Sequence, residues 1–322
     1  MEDPNAALRR DVMLLAALAV LLVVAELTLV SQFYRSIVIL SMIHAIAAIG
    51  LTLLLGYTGQ ASLGQGAFMG IGAYAAAFAV QKLGLPAIAA LIGATVLPGM
   101  LGFAIARPIL RLSGHNLALA TLALGAAFYV LAAQWRGVTG GLDPGIVDMP
   151  NLSLGGVSHD RLVFWLAGAC LLSCSGIALA LVAGQFGRAL MALKTSEIVA
   201  ACMGIDAART KAVVFALAAA FAGLSGALLA FYLRSFNASA FGVGISIELL
   251  MMVIVGSLST VWGAIFGAFV IILLPNLLDG FDHAKHLIYG LTMVGIMMFA
   301  PNGLGETVLR MLTRRPAKDS GV

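Results

Sequence analysis

The chain has little charge for its length. Charged residues make up 10% of its 322 residues, against roughly a quarter in soluble domains. Hydrophobic residues make up 61%, so there are too few water-facing side chains to cover the apolar surface. This composition excludes an ordinary soluble globular protein and predicts an integral membrane protein.

Residues that build catalytic and metal sites are also scarce. The chain has three cysteines and five histidines, and Cys170 and Cys174 lie in an apolar run where we interpret them as packing residues. No local spacing indicates a nucleophile with its base or a metal cluster, so we expect neither enzyme activity nor a metal site. The phosphate-binding pattern G-x-x-x-x-G-K-[ST] is missing as well, so any ATP chemistry must belong to a separate chain.

Apolar runs of helical length fill the chain instead. Most of them reach the roughly 20 residues that cross a bilayer core; they are 12–30, 37–56, 62–80, 87–106, 116–134, 162–183, 212–233 and 287–300. They lack the two-residue alternation of membrane barrel strands. We therefore expect an all-α integral membrane protein, a polytopic helical bundle of about eight full spans. It forms a single domain over residues 1–322, with its membrane region at 12–300.

One further run, at 249–274, is too long for a single ordinary crossing. The segment Gly256-Ser257-Leu258-Ser259-Thr260 interrupts it, so we predict two half-helices folded back on each other. Counting Lys and Arg places the elements relative to the membrane, because these residues favour the cytoplasmic side. With the N-terminus inside, most cations fall on inner loops, and both termini are cytoplasmic if the broken pair returns to the side it entered from. The tail at 301–322 is then a basic cytoplasmic segment.

A second irregular stretch is Gly56-Tyr-Thr-Gly-Gln-Ala-Ser-Leu-Gly-Gln-Gly-Ala-Phe68. Lipid cannot satisfy an irregular backbone, so such a break is tolerated only against protein or in a water-filled cavity. Two interpretations stay open for Gln60, Ser62 and Gln65. They line a transport path, for which paired broken helices are the usual indication, or they belong to a cytoplasmic hairpin wetted by water.

Residues 184–211, called the elbow below, form the main polar stretch between apolar runs. The pattern predicts a short helix with Thr195 or Ser196 as N-cap, Glu197 in its first turn and Gly204 in the left-handed position after its last turn. Glu197, Ala201 and Gly204 share one face, where small side chains let a partner approach closely. We expect a docking surface for another protein; the alternative is an ordinary charged loop.

Four blocks of sequence carry a resemblance to a known family. They are Gly56-Tyr-Thr-Gly-Gln-Ala-Ser-Leu-Gly with Gly70-Ile-Gly-Ala-Tyr74; Thr139-Gly-Gly-Leu-Asp-Pro-Gly-Ile146; Arg188-Ala-Leu-Met-Ala-Leu-Lys through Glu197 with Met203-Gly-Ile-Asp206; and 256–267 with Pro301-Asn-Gly-Leu304. Over nearly its full length the chain resembles the LivM-type permease subunits of branched-chain amino acid ABC importers. The first and third blocks together are the most specific.

The resemblance implies a permease subunit of the bacterial inner membrane that passes solute from a periplasmic binding protein to the cytoplasm. Its implied partners are two ABC ATPase subunits that bind ATP and Mg²⁺, a second homologous permease and the binding protein, all in or at the lipid bilayer, without nucleic acid. The permease chain itself carries no cofactor.

The resemblance assigns ATPase coupling to Arg188, Glu197, Ala201 and Gly204, and we add Lys194 of the same loop. The two irregular stretches supply the pathway candidates Gln60, Ser62, Gln65 and Ser257, to which we add Glu248 as an acid at the border of an apolar run. The face to which the implied binding protein would deliver solute supplies the docking set Trp135, Thr139, Gly140, Gly141 and Asp143.

Three positions depart from the family pattern. Lys194 stands where the family usually has arginine, and Thr195 stands where an acidic or amide residue is common. Pro144 interrupts the usual Thr-Gly-Gly-x-x-Gly spacing. The last two departures leave open a permease for urea or short amides. An ion-coupled secondary carrier is a further alternative, against which the near absence of mid-span acids counts.

Overall fold

The computed structural model describes residues 4–28, 31–110, 114–150 and 158–277, together with residues 112 and 290. Within these residues the regular elements are helical. They are α1 Pro4–Thr28, α2 Gln32–Leu51 with a π-helical turn Thr52–Gly56, α3 Gln65–Gln81, α4 Ala87–Ile109, α5 His115–Gln134, α6 Arg136–Thr139, α7 His159–Ala183, α8 Gln185–Thr195, α9 Glu197–Cys202, α10 Ala207–Leu233, a 3₁₀ turn Ala238–Phe241, α11 Val243–Gly256 and α12 Val261–Leu277. The predicted span at 287–300 falls almost entirely outside the described residues, and the tail at 301–322 falls wholly outside them.

Seven helices of the described part are long and apolar enough to cross a membrane. They are Arg9–Thr28, Gln32–Gly56, Ala87–Ile109, His115–Gln134, His159–Ala183, Ala207–Leu233 and Ala238–Gly256. This confirms the polytopic all-helical prediction. The broken region is also as predicted, since α11 ends at Gly256 and α12 begins at Val261. Its first half begins earlier than expected, because the helix extends back to Val243.

The centre of the bundle is α2, whose apolar window is 89% buried inside the protein. Every residue from Ser41 to Leu51 is buried, and α10 packs against this helix. Ser225 of α10 donates a hydrogen bond to the Ile43 carbonyl at 2.7 Å. A helix that is apolar on all sides belongs in the interior of a membrane bundle, which explains why α2 is surrounded by the other helices.

Glycine contacts fix how closely the central helices approach. A Cβ atom on Gly72 would overlap the backbone of Gly223, and one on Gly226 would overlap Met69, so the backbones of α3 and α10 touch. The two halves of the broken pair meet in the same way, at Gly256 and Gly263. Small residues allow such close packing in membranes, where dispersion and backbone contacts replace the hydrophobic driving force.

An ion cluster marks the end of the bundle opposite the elbow. Glu26 of α1 is 7% exposed at its side chain and lies 3.4 Å from Arg35 of α2 and 3.3 Å from Arg161 of α7. Gln32 donates a hydrogen bond to Asp160 at 2.9 Å beside it. A carboxylate in this position is costly unless it is paired, and here it joins three helices.

Replacement of Gly72 by valine tests the α3–α10 contact. We expect Gly72→Val to lower the free energy of unfolding by at least about 3 kcal/mol, because the added methyl groups meet backbone, which cannot yield as a side chain can. Gly93→Val on α4 is the matched control, since nothing lies within 4 Å of a Cβ at that position. Thermal unfolding of the detergent-solubilised chain measures both. Equal melting temperatures for the two variants would contradict the packing described.

Candidate functional site

The first break, residues 57–64, lies between the π-helical turn and α3. Gln60 is 5% exposed, Ser62 1% and Gln65, at the start of α3, 1%. The Oε1 atoms of Gln60 and Gln65 are buried without a hydrogen-bond partner. Burial to this degree does not fit a hairpin whose polar groups face water. The segment is packed inside the protein, with acceptor oxygens that the protein itself leaves unsatisfied.

Side chains from two other helices hold the backbone of this break in place. Thr121 of α5 accepts a hydrogen bond from the Leu63 N–H at 2.9 Å. Ser246 of α11 accepts one from the Gly66 N–H, also at 2.9 Å, and Ser246 is 1% exposed. Lipid offers no partner to an irregular backbone. These two hydroxyl oxygens therefore accept hydrogen bonds from backbone N–H groups that have no helical carbonyl as a partner.

The second break, residues 257–260, lies directly against the first. The Tyr57 hydroxyl donates a hydrogen bond to the Ser259 carbonyl at 3.0 Å. A Cβ on Gly56 would overlap the Leu258 carbonyl, so only glycine permits this approach. Ser257 is fully buried, and its hydroxyl bonds to Ser259 within the break. The two interruptions recognised in the sequence therefore form one junction.

The first break runs from the elbow side of the bundle toward its middle. Its beginning meets the end of α11 beside Gly256, whereas its end meets Ser246 near the start of α11. At about 1.5 Å per residue, these two levels are separated by roughly 15 Å along the helix axis. That is about half of a 30 Å hydrocarbon core. Gln60, Ser62 and Gln65 are thus placed between the elbow side of the bundle and its middle.

The elbow folds as its local sequence predicts. Ser196 is the N-cap of α9, accepting a hydrogen bond from the Val199 N–H at 3.4 Å. Gly204 follows α9 at a φ of 80°, and Asp206 caps α10 by accepting a hydrogen bond from the Arg209 N–H at 3.0 Å. Glu197 pairs with Lys211 at the start of α10. The short helix α9 is thereby fixed to a long membrane helix.

The outer surface of α9 is apolar as well as small. Ile198 is 78% exposed and Met203 is 72% exposed, with Val199 between them at 56%. Ala201, Gly204 and Arg188 are exposed too. Isolated exposed apolar residues are ordinary, whereas Ile198, Val199 and Met203 form an exposed apolar cluster on and directly after α9, in the main polar segment of the chain.

Lys194 is exposed like the other residues of the expected coupling set, and it also contacts the first break. Its Nζ donates a hydrogen bond to the Gly56 carbonyl at 2.7 Å. That carbonyl is at the end of the π-helical turn, directly before the first break. Lys194 therefore joins the elbow to the junction of the two breaks.

On the opposite side of the bundle, the residues expected to dock a binding protein fall into two groups. Trp135 and Asp143 are exposed, whereas Thr139 and Gly141 are buried and Gly140 is half-buried. The Thr139 hydroxyl bonds to the carbonyls of Ala132 and Trp135, so it shapes the loop. Trp135 and Thr139 also border an apolar groove of about 680 Å³ between α3, α4 and α5.

Backbone pairing joins the loop at residues 135–150 to the segment at residues 234–237. Together these two segments are called the cap below. Ile146 and Phe236 exchange two hydrogen bonds of 2.9 Å, and the Met149 N–H donates to the Arg234 carbonyl at 3.0 Å. Phe236 also packs against Tyr74, with ring centroids 5.3 Å apart. Glu248, expected near the entrance, is half-buried in the second turn of α11.

Several residues of this site were not singled out by the sequence pattern. Ser246 bonds to Gly66, 180 positions away, and Thr121 bonds to Leu63, 58 positions away. Tyr57 bonds to Ser259, 202 positions away. No local spacing marks them. The one available signal is a hydroxyl group in an otherwise apolar helix, which must find a partner.

Comparison with known proteins gives these features a family context. Residues 33–300 match the family described as the permease component of branched-chain amino acid transport systems. The chain is 30% identical over 315 residues to the high-affinity branched-chain amino acid transport system permease protein LivM of Escherichia coli, covering 90% of this chain and 74% of that protein.

Two further relatives agree with this match. The LivM protein of Salmonella typhimurium is 29% identical over 301 residues, covering 86% of this chain and 71% of that protein. A probable branched-chain amino acid transport permease protein LivH of Methanocaldococcus jannaschii is 26% identical over 300 residues, covering 86% and 93%. No solved structure matches the chain. With its family model covering most of the sequence and a helical membrane fold, the chain belongs to the family of permease components of branched-chain amino acid transport systems.

Proposed function

We propose that this chain is the membrane-spanning permease subunit of an ATP-driven importer for branched-chain amino acids, driven through its elbow. The observation that carries the proposal is the hydrogen bond from Lys194 to the Gly56 carbonyl. It connects the segment with the exposed apolar surface to the buried, polar break. A force applied to α9 therefore has a direct route into the interior of the bundle.

The elbow is built to move as a unit with α10. Ser196, Asp206 and the Glu197–Lys211 pair hold α8, α9 and the start of α10 together. An ATPase subunit that presses on Ile198 and Met203 would tilt this unit, and Lys194 would carry the displacement to Gly56. Because Gly56 touches Leu258 and Tyr57 bonds to Ser259, both breaks would respond together. Packed elements of this kind switch between discrete arrangements.

The buried amides supply a polar surface for the solute. The free Oε1 atoms of Gln60 and Gln65 are acceptors, suited to the ammonium group of an amino acid. An unsatisfied buried acceptor costs about 1–3 kcal/mol, which a passing donor would offset. Ser62 and Glu248 extend this path in the proposal. A passing solute would donate the hydrogen bonds that the Gln60 and Gln65 oxygens do not receive from the protein.

The remaining assembly is proposed from the family. Two ATPase subunits bind ATP and Mg²⁺ and contact the elbow; a second, homologous permease completes the path; a periplasmic binding protein delivers solute to the cap that carries Trp135 and Asp143. The protein resides in the bacterial inner membrane with both termini in the cytoplasm. Cation-rich elements, including the elbow, then lie on the inner side. The permease chain itself holds no cofactor.

A charge on the apolar surface of α9 tests the docking of an ATPase. We expect Ile198→Asp to insert and fold normally, because the side chain is 78% exposed. It should nevertheless lose co-purification with the ATPase subunits, since the carboxylate would be desolvated in the interface. Uptake of radiolabelled leucine into proteoliposomes should fall with it.

Gln185→Glu is the matched control, because it adds the same charge at an exposed position of the elbow outside α9. Association and uptake should stay at the wild-type level in this control. If Ile198→Asp still binds the ATPases and transports leucine normally, α9 is not the docking surface. Transport of urea in place of leucine by the intact complex would instead overturn the substrate assignment.

Replacement of Lys194 by methionine separates docking from transmission. The long apolar stem is kept, but the hydrogen bond to the Gly56 carbonyl is lost. A hydrogen bond to a charged group contributes about 1.5–3 kcal/mol, so leucine transported per ATP hydrolysed should fall by roughly tenfold or more. Co-purification with the ATPases should remain.

Lys194→Arg keeps a cationic donor at the same position and should recover part of the coupling. Measuring ATP hydrolysis and leucine uptake in the same proteoliposomes gives the ratio directly. An unchanged ratio in Lys194→Met would show that the Lys194–Gly56 contact transmits nothing. Loss of ATPase binding in this variant would show that Lys194 acts in docking and not in transmission.

A further inference from the structure

A basic cleft of about 540 Å³ lies beside the elbow, between the end of α4 and the start of α10. Its lining residues are Phe103, Arg107, Asp206, Ala208 and Arg209. The coupling route uses only Asp206 of this lining, as the cap of α10, because Lys194 and Lys211 bond elsewhere. The cleft is thus a separate feature of the same side of the molecule.

The charges of the cleft are incompletely compensated. Arg107 and Arg209 are both exposed, and among the described residues neither forms an ion pair. Asp206 is the one acid in the lining, and one of its oxygens accepts the capping hydrogen bond from the Arg209 N–H. Two guanidinium groups against one carboxylate leave a net positive charge. Guanidinium groups bind phosphate oxygens in paired hydrogen bonds.

An exposed apolar stripe leads from this cleft along α4 into the membrane region. Phe103 is 42% exposed, Met100 67% and Val96 51%. Their spacing to Arg107 is four, three and four residues, which places all four on one face of the helix. From Arg107 to Val96 this face is roughly 16 Å long at about 1.5 Å per residue. This matches one leaflet, or half of a hydrocarbon core of about 30 Å.

We propose that the cleft and stripe together bind an anionic phospholipid of the inner leaflet. Arg107 and Arg209 hold the headgroup phosphate, and an acyl chain lies along Phe103, Met100 and Val96. Basic pockets between membrane helices on the cytoplasmic side are suited to acidic headgroups. Because Arg209 belongs to the elbow, the lipid fixes the start of α10 relative to α4.

The position of the cleft at the end of a candidate membrane span favours a lipid over a cytosolic partner. An acidic side chain of another protein would match the two arginines, whereas a membrane lipid matches them and also the lipid-facing apolar side chains that continue along α4. Free phosphate would likewise use only the cleft. A phospholipid is the ligand whose charge and hydrocarbon both have a counterpart on the surface.

Lipid retention by the purified chain, without ATPase subunits, tests this proposal. The chain is equilibrated in detergent with equal amounts of phosphatidylglycerol and phosphatidylcholine carrying identical acyl chains, and bound lipid is identified by native mass spectrometry. We expect wild type to retain phosphatidylglycerol at least about fivefold over phosphatidylcholine. The double variant R107Q/R209Q should retain the two lipids about equally.

Controls distinguish the cleft from general charge attraction. Lys82→Gln removes an exposed cation at the other end of the bundle and should keep the preference, as should the charge-conserving R107K/R209K. Inorganic phosphate should not displace the bound lipid, because it lacks the hydrocarbon. No preference in wild type, an equal loss in Lys82→Gln, or displacement by phosphate each overturns the proposal. Since no ATPase is present, this result is independent of the coupling proposal.

Discussion

The structure depends on one constraint: a backbone that leaves its helical hydrogen bonds inside a membrane bundle must find other partners there. This chain breaks its helices twice and sets the breaks against each other. Tyr57 bonds to Ser259, and Gly56 lies against the Leu258 carbonyl, where a side chain would not fit. The hydroxyl groups of Ser246 and Thr121 accept hydrogen bonds from the backbone at the end of the first break and the start of α3. The backbones of α3 and α10 also touch. Such close packing is compatible with hydrogen bonds between helices that are made by short side chains such as serine and threonine.

In the proposed mechanism the same junction links the ATPase-driven elbow to the transport path. The elbow is a capped unit, and its Lys194 donates a hydrogen bond to the Gly56 carbonyl. Its ammonium reaches the last carbonyl before the first break. In the proposed mechanism a displacement of the elbow would be applied at the start of the first break, close in sequence to the unsatisfied oxygens of Gln60 and Gln65.

Local features were predictable from the sequence, and long-range ones were not. Ser196 and Gly204 were correctly assigned because capping is decided within a few residues. The end of α11 at Gly256 followed from a glycine and hydroxyl cluster within an apolar run. By contrast, the hydrogen bond of Lys194 to the Gly56 carbonyl was not predicted, because the two residues lie 138 positions apart in the chain. Thr139 was expected at a docking surface, but its hydroxyl is used inside the loop. Such pairings depend on how helices pack, which periodicity does not encode.

Structures of the assembled transporter, determined by electron cryo-microscopy with and without bound ATP, test the central claim most directly. The quantity to compare is the displacement of residues 184–211 and of residues 56–64 between the two states. We predict that both segments move together, with the contact of the Lys194 Nζ with the Gly56 carbonyl and the hydrogen bond of Tyr57 to Ser259 both kept. An elbow that shifts while residues 56–64 stay in place against the second break would contradict it.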